Sequence, residues 1–166
     1  MKTRLILKCL PIFLLFNVAT VFASDFIADR IIIDKKARRL TLFSKGQQIK
    51  AFKVALGRNP VGPKEKEGDN KTPEGAYMID SRNTKSRFHL SLHISYPGIQ
   101  DVQRAKQLGV PTGGNIMIHG LMNGFGWIGG LHRLVNWTKG CIAVTNSEID
   151  EIESLVPNGT SVEIRP

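Results

Sequence analysis

Hydrophobic and polar residues alternate along much of this 166-residue chain. The clearest example is 88–96, where Phe, Leu, Leu, Ile and Tyr occupy every second position and His or Ser fills the positions between. A period of two is typical of a strand with one buried face. Short apolar runs bounded by turn residues predict further strands at 30–33, 39–43, 49–56, 76–79 and 162–164.

Two segments have helical spacing instead. Residues 101–108 predict a short helix that ends at Gly109, and residues 145–148 (Thr-Asn-Ser-Glu) form a capping box before apolar residues spaced three or four apart. The polar, Gly- and Pro-rich stretch 57–72 predicts a loop. We therefore predict a mainly β fold, a barrel or sandwich with one or two packed helices.

The first 23 residues differ from the rest of the chain. Basic residues precede the apolar stretch 10–16, and small residues end at Ala23, which is the pattern of a secretory signal peptide. The apolar stretch is short for a membrane span, and an uncleaved anchor is the alternative. We predict a signal peptide over 1–23, one domain over 24–166, a periplasmic or exported location, and no membrane span after cleavage.

Charge narrows the choice of partners. The chain has 23 Lys and Arg against 14 Asp and Glu, a net charge of +9. Loss of the three basic residues in 1–23 leaves +6. A basic exported surface favours anionic polymers such as the cell wall, and nucleic acid is not an expected partner outside the cytoplasm. A role in solubility explains the net positive charge equally well.

Cysteine usage gives the first indication of chemistry. The chain has two cysteines, and Cys9 would leave with the signal peptide. Cys141 would then be the only thiol, with no internal disulfide to form. His119 ends an apolar strand-like run 115–118 earlier in the chain. A thiol and an imidazole are the parts of a nucleophile and base pair, and a buried inert cysteine is the alternative.

The connection 120–140 is long, glycine-rich and aromatic. Long connections in compact domains are usually functional. We predict a lid, partly buried by its aromatic residues, that covers a substrate and includes Trp127. A plain surface loop is the alternative.

Two motifs are rejected. The glycines at 124, 126 and 129 match a dinucleotide fingerprint but lack its βαβ context, so no cofactor is predicted. His89 and His93 are four residues apart, which on a strand is about 13 Å, so no metal site is predicted.

The segments around His119 and Cys141 also resemble a known family. A His-Gly pair after an apolar strand, followed by Thr138-Lys139-Gly140-Cys141 and an apolar residue, is similar to the catalytic domain of the L,D-transpeptidases of bacterial cell walls. Residues 31–57 resemble the opening strands of that family, and residues 72–75 (Thr-Pro-Glu-Gly) its Thr-Pro-x-Gly element. The resemblance covers nearly all of 24–166 and implies a mostly β catalytic domain.

The resemblance implies roles for the site residues. Cys141 would be the nucleophile, His119 the general base, and the Gly120 carbonyl would orient the imidazole. A free thiol has a pKa of about 8.5, so the imidazole would increase the reactive fraction. Backbone N–H groups of Gly140 and Cys141 could stabilise an oxyanion. We expect substrate contacts from Thr138, Lys139, Trp127 and His93.

Two positions depart from the family pattern. Lys139 stands where the family usually has histidine, and Ala143 stands where it usually has Arg or Asn. Lys139 would favour a thiolate through its charge, but it cannot act as a neutral imidazole, and Ala143 cannot bind a carboxylate. These departures leave open whether an acyl-enzyme is resolved by transfer or by hydrolysis.

The resulting prediction is an exported cysteine acyltransferase that acts on peptidoglycan stem peptides through a Cys141 thioester. An amine of another stem, or a lysine of a wall-attached protein, would resolve the thioester. The first alternative is a peptidoglycan hydrolase, a carboxypeptidase, endopeptidase or amidase, with the same Cys-His site. The second is a non-catalytic wall-binding module.

Overall fold

The computed structural model describes residues 27–166. In that range the chain forms β1 (Arg30–Asp34), β2 (Arg39–Ser44), β3 (Gln47–Lys53), β4 (Gly75–Ser86), β5 (His89–Ile94), α1 (Ile99–Leu108), β6 (Met117–His119), β7 (Ile142–Ala143), α2 (Asn146–Leu155) and β8 (Ser161–Arg165). A 3-10 helical segment, Gly126–Leu134, lies between β6 and β7. The predicted mainly β fold class is confirmed. The predicted signal peptide lies outside the described residues.

The strands form one sheet in the order β3-β2-β1-β8-β4-β5-β6-β7. Strand β1 is parallel to β8 and β6 is parallel to β7, whereas the other neighbours are antiparallel. The two edges meet, because Ala55 and Ala143 exchange backbone hydrogen bonds of 2.9 and 2.8 Å. The chain just after β3 therefore holds the segment that carries Cys141 against the opposite edge of the sheet. No helix within 27–166 is long and apolar enough to cross a membrane.

The inward faces of the strands and one face of α2 form the core. Ile149 and Ile152 of α2 are fully buried against it. The predicted capping box starts this helix: the Thr145 hydroxyl accepts the Glu148 N–H at 3.3 Å, and the Glu148 carboxylate accepts the Thr145 N–H at 2.9 Å. Fully buried strand side chains in this core include Ile31, Ile33, Leu40, Leu42, Ile79, Leu92, Ile94, Ile118 and Ile142.

The structure differs from the sequence pattern at three places. Strand β4 continues to Ser86 through exposed polar residues, because it pairs first with β8 and then with β5. Strand β3 ends at Lys53, earlier than predicted, because residues 54–57 leave β2 and bridge to β7 and Thr138. The connection 120–140 contains the 3-10 segment, broken at Gly129. Backbone pairing decided the ends of β3 and β4, and a hydrophobic pattern does not contain that information.

Candidate active site

Strands β6 and β7 bring the thiol and the imidazole to one face of the sheet. Ile118 is paired with Ile142 and His119 with Ala143. The two isoleucines are fully buried on the core side, and alternate residues of a strand point to opposite faces. Cys141, one residue before β7, therefore faces the same side as His119. One strand spacing and two residues of rise separate their Cα atoms by about 8 Å, a diagonal that side chains can span.

His119 is held in a defined orientation. Its Nδ1–H donates to the Gly120 carbonyl at 2.7 Å, which leaves the lone pair on Nε2. The ring is 4% exposed and packs against Phe88, with ring centroids 4.5 Å apart, and Trp137, at 5.8 Å. Burial lowers the pKa of His119, while the Gly120 carbonyl acts in the opposite direction. The residue is therefore a neutral imidazole at neutral pH.

The His-Gly turn depends on a residue that the sequence analysis missed. Asn146, at the start of α2, accepts the Leu121 N–H through Oδ1 at 2.8 Å. A Cβ on Gly120 would lie 2.8 Å from the same oxygen and 3.1 Å from the Phe88 carbonyl. Glycine is thus needed for close approach. In the sequence, Asn146 is recognisable only as part of the helix cap. The packing of α2 gives it the additional contact with the Leu121 N–H.

Cys141 is half-buried and hydrogen-bonded to the strand beside it. Its thiol donates to the Asn115 carbonyl at 3.5 Å. Burial raises the pKa of the Cys141 thiol, and the Met117 backbone N–H and the positive charge of Lys64 partly oppose this. A raised thiol pKa beside a lowered imidazole pKa makes the resting pair neutral. These shifts favour the thiol over the thiolate in the free protein.

The cation that acts on the thiol is Lys64 and not, as predicted, Lys139. Lys64 is 4% exposed and pairs with Asp69 at 2.7 Å. Lys139 is exposed and makes no ion pair with another residue of 27–166. Lys64 lies in the stretch 57–72, which the sequence predicts only as a loop. Only tertiary folding brings that loop to Cys141, so no local pattern marks Lys64.

The Thr138 side chain stabilises the turn before Cys141 through two hydrogen bonds. The Thr138 hydroxyl donates to the Cys141 carbonyl at 2.7 Å and accepts the Gly140 N–H at 3.1 Å. The Gly140 N–H predicted for the oxyanion is therefore already bonded. Gly140 has φ +132°, and a Cβ there would lie 2.7 Å from the Lys71 carbonyl. Thr138 is buried and positions the turn rather than facing solvent.

The predicted lid is ordered but its tryptophan at 127 is not buried. Trp127 is 81% exposed, and Leu131 and Leu134 of the same segment are 65% and 77% exposed. Trp137, after the segment, covers His119 and donates its indole N–H to His132 Nδ1 at 3.3 Å. Leu131, Leu134 and Trp137 border a shallow groove of about 530 Å³, and Trp127 is not among the residues that line it. The predicted partial burial thus applies to Trp137 and not to Trp127.

The remaining histidines pair with separate carboxylates. His93 Nδ1 lies 2.7 Å from Asp80 and His89 Nε2 lies 2.8 Å from Asp150. No group of three or more His, Cys, Asp or Glu side chains suited to a metal ion is found within 27–166. His93 is paired across the sheet with Met117, next to the thiol.

Comparison with known proteins agrees with this geometry. The YkuD L,D-transpeptidase catalytic-domain model matches residues 28–164. YafK of Escherichia coli (strain K12), provisionally named an L,D-transpeptidase, is 31% identical over 130 residues, which are 75% of this chain and 45% of YafK. YkuD of Bacillus licheniformis, named in the same way, is 24% identical over 147 residues, 86% of this chain and 68% of that protein.

Solved structures give the same result for the fold. Bd1075 of Bdellovibrio bacteriovorus superposes with a TM-score of 0.62 at 25% identity, over 84% of this chain and 48% of that chain. The helical cell shape determining protein Pgp2 of Campylobacter jejuni superposes with a TM-score of 0.65 at 23% identity, over 85% of this chain and 48% of Pgp2. The chain spans about half the length of YafK and of these two structures. Since the family model covers nearly all of the described residues, the chain belongs to the L,D-transpeptidase (YkuD) family.

Proposed function

We propose that this protein is an exported L,D-transpeptidase that acts on peptidoglycan stem peptides through a thioester at Cys141. The observation that carries the proposal is the placement of the Cys141 thiol and the His119 imidazole on one sheet face, with the His119 Nε2 lone pair left free by the Gly120 contact. A buried inert cysteine needs no such partner. Family membership supports the substrate class.

The first half-reaction forms the thioester. His119 Nε2 accepts the thiol proton as Sγ attacks the carbonyl carbon at the L-centre of the diamino acid in stem position three. The Cys141 N–H then stabilises the oxyanion, because the Gly140 N–H is bonded to Thr138. The C–N bond to D-alanine breaks, and His119 returns the proton to the leaving amine. No cofactor takes part.

The second half-reaction transfers the acyl group to an amine. Another stem peptide, or a lysine of a wall-attached protein, would supply it. Hydrolysis by water through the same thioester remains the alternative activity. Ala143 is fully buried and bridges to Ala55, and its methyl group cannot bind a carboxylate. Donor recognition therefore depends on other residues, for which we propose Lys139 and Trp127, with Thr138 acting indirectly, and we propose that His93 contacts the acceptor.

The location and remaining partners follow from the same function. We propose that residues 1–23 direct export to the periplasm or cell surface, where stem peptides are found. We propose no nucleic-acid partner and no membrane span in the mature protein. A non-catalytic wall-binding module is the alternative of another class, and it predicts no reactive thiol.

Acylation by a carbapenem tests the proposal. The mature protein should gain one adduct in intact mass, Cys141→Ala should gain none, and His119→Gln should acylate about 10²-fold more slowly because it lacks the base. The control is His89→Gln, a half-buried histidine of β5 that pairs with Asp150 and should react like the wild type. Labelling that persists in Cys141→Ala would overturn the assignment, and absence of any adduct would favour the binding module.

A further inference from the structure

A polar pocket of about 400 Å³ opens on the sheet face that carries the nucleophile. Asp80, His93, Asn115 and Met117 are among the residues that border it. The Asn115 carbonyl accepts the Cys141 thiol, and Met117 is paired with His93 across β5 and β6. The pocket and the thiol therefore share a wall, with Met117 between the two.

His93 in this pocket has the features of a general base. Its Nδ1 is 2.7 Å from the Asp80 carboxylate, and since an ionised carboxylate only accepts, Nδ1 carries the proton and Nε2 carries the lone pair. The His93 side chain is 25% exposed. His119, in contrast, is 4% exposed beneath Phe88 and Trp137. An incoming molecule has easier access to His93 than to His119.

Strand β4 has an irregularity that places Asp80 against His93. Ile79 pairs with Ile94 and Ser81 pairs with His93, so the register shifts across Asp80. A bulge sets two residues opposite one partner, and bulges next to active sites re-aim side chains. The His93–Asp80 hydrogen bond joins two partly exposed side chains, so it adds little to stability. A functional use explains the bulge better than a structural one does.

The strand spacing sets the distance between the two groups, with the half-buried Met117 between them. His93, Met117 and Cys141 lie at one level on three neighbouring strands, so the Cα atoms of His93 and Cys141 are about 10 Å apart. A thioester carbonyl on Sγ and an attacking atom within hydrogen-bond distance of Nε2 fit across such a gap.

We propose that His93 is the general base of the second half-reaction, which deprotonates the incoming acyl acceptor, and that Asp80 is its positioning residue. The inference rests on the proposed function of Cys141. An acceptor amine arrives as an ammonium group and gives one proton to His93 Nε2. The nitrogen lone pair then forms the C–N bond, the C–S bond breaks with its electrons on sulfur, and the second amine proton passes to the thiolate. His93 releases its proton to solvent.

The test separates the two half-reactions. Acylation is measured with a carbapenem and with a tetrapeptide stem, and transfer is measured as decay of the stem acyl-enzyme on addition of a D-amino acid. We expect His93→Gln to slow transfer about 10²-fold while both acylation rates stay within about twofold of the wild type. Asp80→Asn should slow transfer less, and imidazole in the buffer should restore part of the rate of His93→Ala.

The matched control is His89→Gln, which removes another carboxylate-paired histidine of β5 and should leave transfer unchanged. If His93→Gln transfers at the wild-type rate, the inference is wrong. If His93→Gln and Asp80→Asn lose acylation and transfer equally, the two residues have a structural role, and the inference is again wrong. Absence of acylation in the wild type defeats the proposed function itself. Normal acylation with unaltered transfer in the variants defeats only the role of His93.

Discussion

At the scale of single residues, the pKa shifts favour the neutral forms of the candidate nucleophile and the candidate base. Burial raises the pKa of Cys141 and lowers that of His119, so both groups resist the thiolate–imidazolium state in the free protein. In the proposed mechanism the proton would move as the thiol attacks the substrate. A neutral thiol would also limit adventitious reaction when no substrate is bound.

Alkylation of Cys141 by iodoacetamide should therefore depend steeply on pH. Only the thiolate reacts, and its pKa is raised, so the rate should rise through the ordinary thiol pKa of about 8.5 and continue to rise above it. The same protein in urea is the control, and its thiol should titrate near the ordinary value. A native rate that reaches its plateau below pH 8 would contradict the neutral pair.

At the scale of elements, the 3-10 segment Gly126–Leu134 presents apolar side chains to solvent beside the base. It leads to Trp137, which covers His119, so its position affects the site directly. Exposed apolar residues on one short segment contribute little to folding, because they bury little area. Their placement fits a surface that closes over substrate.

Trp127→Ala should accordingly lower turnover of a tetrapeptide stem severalfold and change the thermal midpoint by only about a degree, since the side chain is 81% exposed. Ile99→Ala, at a 79% exposed position of α1, is the matched control and should alter neither quantity. A large loss of stability with normal turnover of the remaining folded protein would show that Trp127 belongs to the core and that the lid prediction is wrong.

At the scale of the whole molecule, the fold buries two histidines as neutral groups. His119 and His132 are 4% and 9% exposed. Burial, first among the causes, lowers the pKa of both, to about 4 for His132. An unfolded histidine has a pKa near 6.5. Between the lowered pKa of the folded state and this unfolded value, the unfolded chain therefore binds more protons than the folded one. The stability due to these groups is present above pH 6.5 and is lost as pH falls.

The thermal midpoint should therefore fall from pH 6.5 to pH 4. His132→Gln removes one of the two groups and should make that fall shallower, whereas His89→Gln should not, because His89 is not one of these buried histidines. Asp69 also has a lowered pKa: burial raises it, but the hydrogen bonds from Lys64 and from nearby backbone N–H groups together outweigh burial, so Asp69 titrates below 3.8, outside this range. A midpoint that stays constant over this range would contradict the prediction.

Local patterns predicted what depends on local physics. The period-two alternation at 88–96 marked β5, because a strand alternates its faces whatever its neighbours are. The Thr145 capping box marked the start of α2, because a helix N-terminus needs acceptors for its free N–H groups. The mainly β class, the family, and the candidate pair Cys141 and His119 all follow from such short segments.

Tertiary structure decided what depends on distant segments. Lys64 influences the thiol, Asn146 fixes the His-Gly turn, and Asp80 meets His93 only after strands and loops far apart in the chain have paired. The pKa directions of Cys141 and His119 likewise come from burial, which is a property of the assembled fold. The sequence by itself determined which chemical groups this protein carries, whereas the closed sheet decided their neighbours and charge states, because desolvation and contact arise only when the whole chain packs.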